Sequence, residues 1–158
     1  MILGLGRGDN AIRTLGIDPV PTREYANVVP RFRQLMAGDM IEIDGSEARI
    51  RWAADDVPIM MAATGPRNLR VAGALADIVQ VQVGVHPASI RWAIDLIHEG
   101  AEGAGRDPAS VEISLICGMW VSDDLDQARR ECRWATPSAA NHIADVVSHS
   151  TATECRRS

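Results

Sequence analysis

Two short stretches hold the residue types that could do chemistry. The first is Ala63-Thr64-Gly65-Pro66-Arg67, at the end of the apolar run Ile59 to Ala63. That run reads as a strand buried on both faces. A helix pattern of Leu69, Ala72 and Leu75 begins directly behind it. Thr64 is placed to cap this helix, Gly65 to let backbone approach a ligand closely, and Pro66 to occupy the first helical turn. The unpaired N–H groups of such a turn and the positive end of the helix make a site for an anion. Arg67 could add a charge.

The second stretch is Gly4-Leu5-Gly6-Arg7-Gly8-Asp9-Asn10, which follows a strand-like start. Its glycines fall at i, i+2 and i+4, so it is not the dinucleotide pattern G-x-G-x-x-G, and no helix is expected immediately after it. It reads as a glycine-rich loop with Arg7, Asp9 and Asn10 as its polar groups; the plain alternative is a flexible turn. His86 stands at the end of another strand, where it could line a pocket or simply sit in a loop. His98, His142 and His149 read as helix or tail residues, Met60 and Met61 as core filling, and Trp52, Trp92, Trp120 and Trp134 as packing. Cys117, Cys132 and Cys155 have no metal-ligand spacing.

These groups need a frame. Thr22 is expected to cap a helix running to about Ala37, with Tyr25, Val28, Val29, Phe32, Leu35 and Met36 on its apolar face and Pro30 kinking it. Met40 to Ile43 and Ala48 to Trp52, around Asp44-Gly45-Ser46, predict a β-hairpin excursion. Asp77 to Val83 reads as a third main strand and Val111 to Cys117 as a fourth, separated by a helix from Pro87 to about Gly103. A last helix starts at Asp123 or Asp124, with arginines toward its end as the macrodipole prefers. A weaker helical stretch spans Ala139 to Val147, and the polar residues 148–158 read as a frayed tail.

The order βα, hairpin, βα, βα, βα predicts a parallel α/β sheet. Two architectures fit: a small doubly wound sheet, or about four units of an eight-fold barrel. A chain that opens inside a strand favours the partial barrel.

The bulk numbers describe an ordinary globular chain of 158 residues, 46% hydrophobic and 23% charged. A net charge of −5 argues against nucleic acid or anionic membrane as a partner. No run approaches the roughly 20 apolar residues of a membrane helix. With no secretory signal, reduced thiols in a cytoplasmic protein are the default. All 16 basic residues are arginine, which reads as GC-rich coding rather than function.

The combined pieces resemble the luciferase-like monooxygenase family of (β/α)8 TIM barrels. The matching stretches are Gly4-Leu5-Gly6-Arg7-Gly8-Asp9, Val57 to Pro66, Ala72-Gly73-Ala74-Leu75-Ala76-Asp77 and His98 to Pro108. The resemblance is strongest to the branch that uses coenzyme F-420 and includes methylenetetrahydromethanopterin reductase, and it covers roughly Ile2 to Arg133. It implies that residues 1–147 hold strands four to seven of the family barrel. It further implies that Gly6, Arg7, Gly8, Ala63, Thr64, Gly65 and Pro66 contact the cofactor, with Asp9 near the ring as a candidate for proton transfer. Arg7 departs from the small residue or proline of the deazaflavin branch, which leaves FMN as the alternative cofactor.

The expected function is hydride transfer between reduced coenzyme F-420 and a small organic substrate. An FMN-dependent monooxygenase is the first alternative, and a non-catalytic half that keeps only the phosphate loop is the second. Another phosphate-binding barrel, such as an aldolase, would usually want a Schiff-base lysine or metal ligands, and the chain has no lysine. The first three family strands are absent, so the resemblance also implies a second copy of the chain or a missing barrel half as partner.

Overall fold

The computed structural model describes residues 1–53 and 57–135, and for residues 9–11 the backbone alone. The second helical stretch and the tail expected after Pro137 lie outside the described residues.

Four strands, β1 (Leu3–Leu5), β4 (Ile59–Ala63), β5 (Ile78–Val81) and β6 (Glu112–Leu115), pair in parallel in the order β1-β4-β5-β6. Each strand of this sheet lies beside the next one along the chain. Such an order has no switch point; it grows in one direction, as a barrel wall does. Between β1 and β4 run α1 (Asp9–Thr14), α2 (Thr22–Met36) and the antiparallel hairpin β2 (Ile41–Ile43) and β3 (Ser46–Ala48). The hairpin turns on Asp44 (φ 50°) and Gly45 (φ 78°), the two left-handed positions that a two-residue hairpin needs. Helices α3 (Pro66–Leu75) and α4 (Pro87–Gly103) connect the later strands, and α5 (Leu125–Glu131) follows β6. Asp124 caps α5 by accepting from Asp126 N and Gln127 N.

Alternation along the strands divides the sheet into two unlike faces. Ile59, Met61, Ala63, Val79 and Val81 are buried against the helices. The opposite face carries Gly4, Gly6 and Ala62, all exposed, with Met60, Gln80 and Ser114 half-buried. The expectation that Ile59 to Ala63 is buried on both faces is therefore corrected. One face packs, and the other is covered by no strand among the described residues.

The core is built by close helix contact. A Cβ on Gly73 would lie 2.0 Å from the Ile97 carbonyl oxygen, and one on Gly100 would lie 2.0 Å from that of Arg70. Backbone thus meets backbone where α3 crosses α4. Helix α2 packs beside α3, with Tyr25 and Val29 buried. Of the tryptophans, Trp92 packs on this core, whereas Trp52, Trp120 and Trp134 are exposed, against the expectation that all four pack. Asp77 joins the lower ends of these elements: its carboxylate accepts from Ile59 N at 2.8 Å and pairs with Arg33 at 2.9 Å.

Candidate functional site

The two glycine loops leave the C-terminal ends of β1 and β4, which are neighbouring strands. A side chain from either loop therefore reaches the same end of the sheet.

After β4, Gly65 is the N-cap of α3 and Pro66 its first residue; no side chain caps the helix. Thr64 does not serve as the cap, contrary to expectation, because the helix starts one residue later than that role needs. Leu69 N donates to Gly65 O at 3.0 Å. Pro66 has no N–H, so the amides of Arg67 and Asn68 are the two donors that a cap would satisfy. Gly65 itself has φ −80° and ψ 159°, a conformation any residue adopts. A Cβ there would meet nothing within 4 Å. Neither backbone strain nor packing explains glycine at this position, and the space beside it opens directly on the uncapped helix start. Thr64, Gly65 and Pro66 are half-buried, Ala63 is buried beneath them, and Arg67 is exposed.

After β1, Gly8 has φ +79° and is the N-cap of α1, so a helix does follow this loop at once. The expectation of none is corrected: the left-handed glycine turns the chain directly into Asp9–Thr14. Asp9 is the first residue of that helix, and its side chain lies outside the described residues. Arg7 is half-buried, and its Nε donates to the Val20 carbonyl at 2.7 Å. Gly6 is exposed on the open face, where a Cβ would approach only the Ala62 methyl, at 4.0 Å.

The structure adds residues that sequence patterns did not single out for the site. Tyr25 Oη donates to the Leu5 carbonyl at 2.8 Å, immediately before Gly6. Burial pushes the Tyr25 phenol up to about 12, with the Arg7 charge opposing the shift. Thr22 is the first residue of α2, behind the N-cap Pro21, rather than the cap itself. Its hydroxyl donates to Asn68 Oδ1 at 2.9 Å. A hydroxyl on the apolar face of α2 was the available signal for Tyr25; nothing local pointed to Thr22 or Asn68.

His86 is exposed and serves α4, its Nδ1 accepting from Ala88 N at 3.2 Å; this is the plain loop reading. Cys117 and Cys132 are free thiols. Among the described residues, no group of three or more His, Cys, Asp or Glu could hold a metal ion, and no helix is long and apolar enough to cross a membrane. An apolar groove between α2 and the hairpin, lined by Val28, Phe32, Leu35, Ile41 and Ile43, includes none of the loop residues.

Comparison with known proteins bears on the family and the fold. Residues 1–156 match the family model described as luciferase-like monooxygenase. The chain is 33% identical over 137 residues to the 5,10-methylenetetrahydromethanopterin reductase of Methanolobus tindarius, covering 81% of this chain and 41% of that protein. It is 30% identical over 142 residues to the phthiodiolone/phenolphthiodiolone dimycocerosates ketoreductase of Mycobacterium kansasii, covering 79% and 37%. The solved coenzyme F-420-dependent tetrahydromethanopterin reductase of Methanopyrus kandleri is similar with a TM-score of 0.63 and 25% identity, over 80% of this chain and 43% of that one. An F-420-dependent secondary alcohol dehydrogenase gives 0.72 at 22% identity, over 90% and 47%, a likeness of fold. The chain spans less than half the length of these relatives, and its α/β sheet is a partial TIM barrel.

Proposed function

The chain belongs to the luciferase-like monooxygenase family, and from that premise we propose that its two glycine loops hold the anionic part of a deazaflavin or flavin cofactor. The observation that carries this reading is the open turn at Gly65. A glycine that neither φ nor packing requires stands beside two unsatisfied helix amides. Such a turn suits a phosphate or carboxylate, which the amides and helix dipole stabilise together.

In this reading Arg67 and Asn68 donate their N–H groups, Gly65 gives the anion room to approach, and Arg7 adds charge from the neighbouring loop. Gly6 and Ala62 leave the open face flat enough for a planar ring. A bound cofactor of this class supplies the hydride chemistry, and the protein supplies position, charge and exclusion of water. Coenzyme F-420 is the first choice, on the strength of the F-420-dependent relatives. FMN is the alternative, favoured by Arg7, whose cation suits a compact phosphate monoester. The whole protein's activity is hydride transfer to or from a small organic substrate, with Asp9 as the candidate proton-transfer group, in the cytoplasm.

A second reading rests on the exposed face bearing Gly4, Gly6 and Ala62 and on the edges at β1 and β6. These are what a barrel half presents before a complementary half, or a second copy, covers it. A chain that stays uncovered is a non-catalytic half retaining only the anion loop.

Fluorescence titration of the purified chain with coenzyme F-420 and with FMN tests the first reading. Saturable binding is expected, and Gly65→Asp should abolish it. Aspartate is a favoured N-cap, so it should keep α3 folded while placing its own carboxylate where the ligand's anion would sit. Wild-type binding by a folded Gly65→Asp chain would remove this turn from the site.

A further inference from the structure

We propose that the start of α2 is a bracket that sets the two loops as one anion-binding unit, with Thr22 and Tyr25 as positioning residues. The inference rests on the reading that these loops bind an anionic cofactor.

Three hydrogen bonds carry it. Tyr25 Oη reaches the Leu5 carbonyl at 2.8 Å, one residue before the first loop. Thr22 Oγ1 reaches Asn68 Oδ1 at 2.9 Å, in the first turn behind the second loop. The Val20 carbonyl, just upstream, takes the Arg7 Nε–H at 2.7 Å. Residues 20–25 therefore touch the loop after β1 and the first turn of α3, on two elements that are also tied by the short ladder between β1 and β4.

Two of these three bonds leave donors available. Holding Arg7 by Nε leaves its two terminal amino groups for an anion, the fork that guanidinium offers to phosphate or carboxylate. Holding Asn68 by its amide oxygen leaves its NH2 group as a donor, one turn position from the unsatisfied Arg67 N–H. The bracket has a firm base. At the other end of α2, Arg33 donates to the Leu75 carbonyl at 2.7 Å and pairs with Asp77, so the helix is fixed to the sheet at both ends. Tyr25 is buried, and its ring holds the first turn of α2 in the core. A site assembled before the ligand arrives spends less of its binding energy on ordering loops.

The test combines cofactor titration with amide hydrogen exchange on wild type, Thr22→Val, Thr22→Ser and Tyr25→Phe. Thr22→Val is nearly isosteric and lacks the donor. It should weaken binding roughly fivefold to tenfold and raise exchange at residues 64–68 while leaving α4 unchanged. Thr22→Ser restores the hydroxyl and should recover wild-type affinity. Tyr25→Phe should raise exchange at residues 5–8 and weaken binding similarly. Wild-type affinity in both Thr22→Val and Tyr25→Phe would overturn the bracket while leaving the cofactor reading intact. A wild-type chain that binds neither cofactor would sink the cofactor reading, and this proposal with it.

Discussion

At the scale of single residues, the glycines of the two loops do different work. Gly8 is glycine because its φ of +79° excludes most side chains, and a Cβ would also press on Ile12 at 3.0 Å. Gly65 has no such reason. Gly8→Ala should therefore cost stability, on the order of 1 kcal/mol or more, whereas Gly65→Ala should leave the melting temperature unchanged and weaken cofactor binding. Equal melting losses in the two variants would contradict the open turn. Tyr25 gives a pH prediction with a definite sign. Its folded phenol titrates at about 12 against an ordinary 10, so the folded state keeps a proton that the unfolded state releases. Stability from this group is complete below pH 10 and is lost as pH rises toward 12. Tyr25 is the chain's one tyrosine, so tyrosinate absorbance reports it without interference from another phenol. A midpoint near 10 in the folded chain would show that the hydroxyl is not held as described.

At the scale of elements, the crossing of α3 and α4 sets how the start of α3 lies against the sheet. Gly73 and Gly100 bring carbonyl backbone to 2.0 Å of where a Cβ would stand, and backbone cannot swing aside as a side chain can. Gly73→Ala should force the helices apart and destabilise the chain by about 3 kcal/mol, measured by denaturant midpoint. An α3 pushed off α4 also moves its N-terminus away from the Gly6 loop, so cofactor affinity should fall with stability. Unchanged stability would mean that the crossing is looser than the geometry states. The hairpin was legible in the sequence because Asp44-Gly45 supplies both left-handed positions. The helix after Gly8 was not, because it is short and its start depends on a single positive φ.

At the scale of the whole molecule, the sheet is complete on one side only. Leu115 and Ile116, at the β6 edge, are 46% and 44% exposed, and the face between the edges carries exposed Gly4, Gly6 and Ala62 beside half-buried Met60, Gln80 and Ser114. Sheet edges of this kind pair with other chains. Sedimentation of the isolated chain should show concentration-dependent association, and Leu115→Asp should shift it toward monomer. A wild-type chain that stays monomeric throughout would mean that the open side tolerates water.

The sequence by itself determined the strands, the helices behind β4 and β5, their parallel pairing and the family, because these follow from local apolar periodicity, turn residues and short motifs. Ile59 to Ala63 announced a strand, and Gly65-Pro66 announced the turn behind it. Only the tertiary structure decided which side of that strand is buried, that Thr64 is not a cap, and that Thr22 and Tyr25 reach the loops. Burial of a face depends on which strands lie opposite, and those are not adjacent in sequence. A hydrogen bond between residues 22 and 68 depends on how α2 packs beside α3, which no local pattern encodes. The two glycine turns were legible because their residue types and spacing are local to the chain. The groups that aim them were not, because aiming is done from across the fold.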